Sequence, residues 1–143
     1  MINTTDAEAY KILVAQRKKR PIAPHLSIYQ PQLTWYSSAA NRITGVALSG
    51  AIYAYFAAYA AAPLVGWQGL DTASIAEVFG SFPEPVKIGI KSAIALPFTY
   101  HSWNSLRHLV WDTTTALDIK DVYRTGYACL AVMAVTTVWL AML

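Results

Sequence analysis

The hydrophobic and polar positions divide this chain into a mixed amino-terminal stretch and three long apolar runs. The clearest run follows Arg42, after which no charged side chain occurs until Asp71. Its core, Ile43 to Val65, exceeds the roughly 20 residues that a helix needs to cross a bilayer. A second run, from about Val86 to Trp111, is interrupted by Lys91 near one end and by His101, Arg107 and His108 toward the other. After Arg124 the chain is uncharged to its last residue, and "TGYACLAVMAVTTVWLAML" is just long enough for another crossing. The pattern therefore predicts an all-α membrane protein with spans near 38–65, 86–111 and 123–143. It divides into an amino-terminal segment, 1–31, and a three-helix anchor domain, 32–143. Three crossings place the termini on opposite sides.

Composition agrees with that reading. The 143 residues are 55% hydrophobic and 13% charged, with five Trp and nine Tyr, as expected of one small membrane domain. Charge sets the orientation: Arg17, Lys18, Lys19, Arg20 and Arg42 precede the first span, whereas Trp67 to Glu84 holds Asp71, Glu77 and Glu84 and no base. The amino-terminal side is thus the positive, inner side.

The first residues carry Asp6 and Glu8 and read as neither a secretory signal nor an intact acid-poor transit peptide. Asp6 to Lys19 suits a short amphipathic helix leading into "RKKR", a cluster suited to anionic lipid headgroups or an acidic partner, or simply to solvent. "RPIAPHLSIYQPQ" follows; Pro21, Pro24 and Pro31 each restrict the residue before them, so an extended connector is expected. Cys129 is the only cysteine, which excludes a disulfide or thiolate metal framework. Internal repeats, a phosphate loop and a nucleophile elbow are absent, and no nucleic-acid partner is expected.

The candidate chemistry lies in "HSWNSLRHLVWD", residues 101–112. His101, Asn104, Ser105, His108 and Asp112 fall at helical spacing on one face. Polar groups are costly in hydrocarbon, so the stripe should meet a neighbouring helix, a cofactor or water. A neutral imidazole is a good haem ligand, because no charge need be buried and a backbone carbonyl can orient its second nitrogen. His101 and His108 rise about 10 Å apart along one face, so they cannot clasp one iron from opposite sides. His25, in the connector, is the only other histidine, so a six-coordinate haem needs a ligand from another chain. In the alternative reading the stripe only binds a neighbouring helix, and the chain is a haem-free structural anchor or assembly subunit.

"SSAANRITG" supplies a second cluster. Ser38 and Arg42 share a face four residues apart, and the cation stands near a helix amino terminus, where the macrodipole disfavours it. A guanidinium beside a hydroxyl suits a carbonyl oxygen or a haem propionate; a headgroup anchor is the plainer explanation. Gly45 and Ser49, followed by Ala54, Ala58 and Ala62, suit close helix packing. Pro97 should loosen the second helix and free the carbonyl of Ala93.

"RPIAPHLSIYQPQ", "SSAANRITG" and "HSWNSLRHLVWD", in this order, resemble the cytochrome b subunit of mitochondrial succinate dehydrogenase, the large membrane anchor of respiratory complex II. The resemblance runs from about Arg20 to the carboxyl terminus. It implies a three-helix subunit in the mitochondrial inner membrane, with its amino terminus in the matrix and its carboxyl terminus in the intermembrane space. The subunit pairs with a second small membrane anchor to form half of a heterodimeric bundle, and it docks an iron-sulfur subunit and a flavoprotein subunit. Electrons from succinate then reach ubiquinone through the clusters, and this chain has no independent catalysis. By the same resemblance Ser38 and Arg42 belong to the quinone pocket. His101 is the axial ligand of haem b, whose other ligand comes from the partner anchor, and Arg42 and His108 lie toward the propionates. Two positions depart from the pattern: Asn41 stands where many relatives have histidine, and Ser105 where glycine is frequent.

Overall fold

A computed structural model describes residues 4–67 and 69–143. Five helices account for most of them: α1 (Asp6–Lys18), α2 (Leu33–Ala61), α3 (Thr72–Gly80), α4 (Glu84–Asp112) and α5 (Ile119–Met142). No strand occurs among the described residues. The chain forms two units, one up to Gln30 and one from Pro31 to Leu143.

In the first unit α1 begins with a capping box. The Thr5 hydroxyl accepts the Glu8 backbone N–H, and the Glu8 carboxylate accepts the Thr5 N–H at 3.0 Å. Asp6 and Glu8 stand in the first turn and Arg17 and Lys18 in the last, so the charges oppose the helix dipole at both ends. The connector is not wholly extended: a single 3-10 turn, His25–Ile28, interrupts it.

In the second unit α2 continues through a 3-10 turn, Ala62–Val65, and stops at Gly66, whose φ of 69° is a left-handed conformation natural to glycine. The short α3, capped by the Asp71 carboxylate on the Ser74 N–H, lies in what the hydropathy pattern reads as a loop. Helix α4 runs unbroken through Pro97. It packs mainly on α5 and, less extensively, on α2.

Two helical stretches, Leu33–Val65 and Ile119–Met142, are long and apolar enough to cross a membrane. This corrects the expectation of three spans as far as apolarity carries it. Helix α4 matches α2 in length, but Glu84, Lys87, Lys91, Arg107 and Asp112 raise its polarity.

The core is small and tight. Its buried apolar residues are Ala62, Ala95, Tyr100, Cys129 and Ala141, whereas Ile43, Val46, Ile52, Phe56, Val135, Val138 and Trp139 lie exposed. Apolar surface on this scale belongs against lipid or another chain. What lies between the helices is largely polar: the side chain most completely buried is Asn104, at 1% exposure. Thr99 and Thr137 join α4 to α5 through a buried hydroxyl pair at 2.7 Å, and the Tyr100 hydroxyl donates to the Ser37 carbonyl of α2 at 2.8 Å. Such bonds stand in for the hydrophobic driving force that helices in lipid lack.

Candidate functional site

The polar residues of α4 divide between two neighbours. His101 turns to α2, where its Nδ1 lies 3.0 Å from the carbonyl oxygen of Asn41 and 3.4 Å from the Thr44 hydroxyl. A carbonyl can only accept, so Nδ1 carries the proton and donates, which leaves the Nε2 lone pair free. Gly45 explains how the ring reaches that carbonyl. A Cβ there would stand 2.8 Å from His101 Cε1 and 3.3 Å from Nδ1, inside ordinary contact distance. Residue 45 is one helical turn beyond residue 41, so the missing side chain opens the Asn41 carbonyl to an outside donor.

A half-buried imidazole, its tautomer set by a carbonyl and its second nitrogen unengaged, has the chemistry of an axial haem ligand. The residues present fit that group. No cluster of three His, Cys, Asp or Glu side chains able to hold a metal ion exists among the described residues.

Ser38 and Arg42 are joined, as their spacing predicts. The Arg42 guanidinium donates to Ser38 Oγ at 2.5 Å, so the serine oxygen is an acceptor in that bond and its own O–H proton is left to serve another group. Arg42 is exposed and Ser38 half-buried. Ser38 and His108, but not Arg42 or His101, line one cavity of about 350 Å³ together with Thr34, Ser37, Arg107 and Trp111. His108 stacks on Trp111 with ring centroids 5.1 Å apart. Ser105 is half-buried, and Asp112, at the end of α4, is exposed.

Arg107 is the residue that sequence reasoning passed over, counted there only as an interruption of the apolar run. It is 6% exposed. Its Nε donates to Thr125 Oγ1 at 3.1 Å and one terminal nitrogen to the Val122 carbonyl at 2.7 Å, both on α5. The other terminal nitrogen donates to Asn104 Oδ1 at 3.3 Å, and the guanidinium carbon lies 4.2 Å from the centroid of the Trp111 ring. The only ion pairs among the described residues are Lys87–Glu84 and Arg124–Asp121, so no carboxylate meets Arg107. Gly126 leaves room for it: a Cβ there would lie 3.3 Å from one of its terminal nitrogens and 2.7 Å from Leu33 Cδ2. The signal lay in spacing, since 104, 107 and 111 form a second helical ridge that meets Thr125 of α5.

Comparison with known proteins matches residues 16–140 to the succinate dehydrogenase/fumarate reductase transmembrane subunit family. The mitochondrial succinate dehydrogenase cytochrome B subunit of Schizosaccharomyces pombe is 48% identical over 139 residues, covering 97% of this chain and 77% of that protein. The mitochondrial inner membrane protein SHH3 of Saccharomyces cerevisiae is 35% identical over 85% of this chain and 62% of its own length. The mitochondrial succinate dehydrogenase cytochrome b560 subunit of Bos taurus is 32% identical over 85% of this chain and 70% of its own. With nearly its whole length matched, the chain belongs to the succinate dehydrogenase/fumarate reductase transmembrane subunit family.

Proposed function

We propose that this chain is the cytochrome b anchor subunit of a mitochondrial succinate:ubiquinone oxidoreductase. It crosses the inner membrane three times, through α2, α4 and α5, with its amino terminus in the matrix. Helix α4 crosses despite its charges because its most polar groups are inward: Asn104 and Arg107 are buried, and His101 faces α2. A second small anchor completes the bundle, and iron-sulfur and flavoprotein subunits dock on the matrix face.

The observation that carries the haem assignment is the Asn41 carbonyl on His101 Nδ1. It turns the ring so that Nε2 is the only available ligand atom. His101 would hold the iron from this side and a residue of the partner anchor from the other. Haem, when bound, supplies a one-electron centre. His108 and Arg42 would hold the haem propionates through their N–H donors.

Ubiquinone is the substrate. Ser38 donates its free O–H to a ring oxygen, and Arg42 places a guanidinium beside that hydroxyl as negative charge develops on the oxygen. The electrons come from the iron-sulfur subunit, so this chain contributes position and donors rather than redox chemistry of its own. The test is an absorption spectrum of the purified, dithionite-reduced complex. A b-type band is expected in the wild type and is lost or shifted in His101→Ala; an identical band in the variant removes the assignment. Purification without a flavoprotein or an iron-sulfur subunit would remove the larger reading.

A further inference from the structure

We infer that Arg107 is a ligand-binding residue of the cavity beside Ser38, a buried cation that holds an oxygen bearing or gathering negative charge. The inference rests on the reading that a quinone headgroup enters this cavity, and it names the charge character of the place where the headgroup ends.

A guanidinium has five N–H donors. In Arg107 three are engaged, by Thr125, Val122 and Asn104. All three acceptors are neutral, and two donors have no partner among the described residues. Gluing α4 to α5 needs only the bonds to Thr125 and Val122, which an uncharged donor could supply. A full charge at 6% exposure without a carboxylate is costly to keep dry, and the Trp111 ring face offsets only part of that cost. It is retained where an anion or a developing charge gains from it.

The rest of the wall agrees. The indole N–H of Trp111 is buried without a partner, and Trp111 lines the same cavity as Arg107, Ser38 and His108. Neither Asp nor Glu lines it. The wall therefore holds two buried donors, the Arg107 guanidinium and the Trp111 indole, and no carboxylate to occupy them, which suits a ligand oxygen. Position agrees as well, since Arg107 stands five residues before the end of α4, a rise of roughly 8 Å, within reach of a headgroup entering from the membrane face. Two oxygens have this chemistry: a quinone ring oxygen and a haem propionate.

The experiment uses the assembled, purified complex with Arg107→Lys, which keeps the charge and loses the planar fork. Infrared difference spectra are taken with a short-chain ubiquinone labelled with 13C at its carbonyls, and the haem midpoint potential is titrated in parallel. If the quinone oxygen is the ligand, one C=O stretch in the wild type lies below its solution value. In Arg107→Lys that lowering shrinks, the KM for the short-chain quinone rises roughly tenfold, and the haem midpoint stays. If the propionate is the ligand, the haem midpoint moves in Arg107→Lys and the quinone readouts do not. A variant in which neither readout moves overturns the inference. Should Arg107→Lys fail to assemble, Arg107→Gln, which keeps an uncharged donor for α5 and loses the charge, takes its place with the same two readouts: a shrunken C=O lowering or a moved haem midpoint upholds the inference, and neither moving overturns it. Ser38→Ala and Arg42→Lys test the parent reading separately. Quinone binding indifferent to both but sensitive at 107 would dismiss those two residues and keep Arg107.

Discussion

Gly45→Ala is the sharpest test of how His101 is held. The added methyl would sit 2.8 Å from His101 Cε1, 3.3 Å from Nδ1 and 3.6 Å from Nε2. Carbon atoms rest at about 3.5 Å or beyond, so the ring must withdraw by roughly 0.7 Å. The bond from Nδ1 to the Asn41 carbonyl is 3.0 Å long. A withdrawal of that size along the bond stretches it past the range of an N–H···O bond. The cost combines overpacking, about 1–3 kcal/mol, with a weakened hydrogen bond, about 1 kcal/mol. Part of this can be relieved by tilting α2 away from α4. What remains falls on the geometry of Nε2, and about 1.4 kcal/mol lowers haem affinity tenfold. The assay is haem content per flavin in the purified complex, measured as the pyridine haemochrome, with the low-spin ferric EPR signal as a second readout of ring orientation. Gly45→Ala is expected to lose most of its haem or to shift its largest g value. Full haem content with an unchanged EPR signal would refute the reasoning, because the ring would then owe nothing to the missing side chain.

Arg42→Lys should lower ubiquinone reduction about tenfold while assembly and haem content stay intact, since the charge remains and the fork that meets Ser38 is lost; equal turnover in the two proteins would take Arg42 out of the site. Thr137→Val removes the hydroxyl that Thr99 meets in the α4–α5 seam. Thr99 can still donate to Ala95 O at 2.9 Å, so the loss should be only about 0.5–1.5 kcal/mol, read as a small drop in the melting temperature of the detergent-solubilised complex; a drop above about 10 °C would mean that the pair does more than close the seam. In α1 the Thr5 backbone N–H, and then its hydroxyl, hold the Glu8 carboxyl below the usual glutamate range. The folded value is the depressed one, so the cap's contribution is complete above the pKa of an unfolded glutamate and is lost as pH falls through the lowered value. An NMR titration of the Glu8 carboxyl in a peptide spanning residues 4–20 should show the low midpoint, and Thr5→Ala should return it to the ordinary range. An unshifted midpoint in the wild-type peptide would count against the capping box.

What the chain's order of residues determined by itself was the helical architecture and which polar side chains stand out from the apolar runs. An uncharged stretch longer than a bilayer has few ways to satisfy its backbone other than a helix, which is why α2 and α5 were legible. Ser38 and Arg42 were legible as a pair because four residues make one helical turn. His101 stood out because an imidazole in an apolar run requires an outside reason. Helix α3 was not legible, since its nine residues fall inside a stretch that reads as a loop. Only the packing of three helices decided which faces met. It turned His101 onto the Asn41 carbonyl across the gap left by Gly45, and it buried Arg107 against α5, the neighbour that the ridge of residues 104, 107 and 111 on α4 does not by itself identify. Periodicity describes a face on one helix, whereas burial and hydrogen-bond partners are properties of two, and those depend on contacts between residues about 60 positions apart in the case of Asn41 and His101.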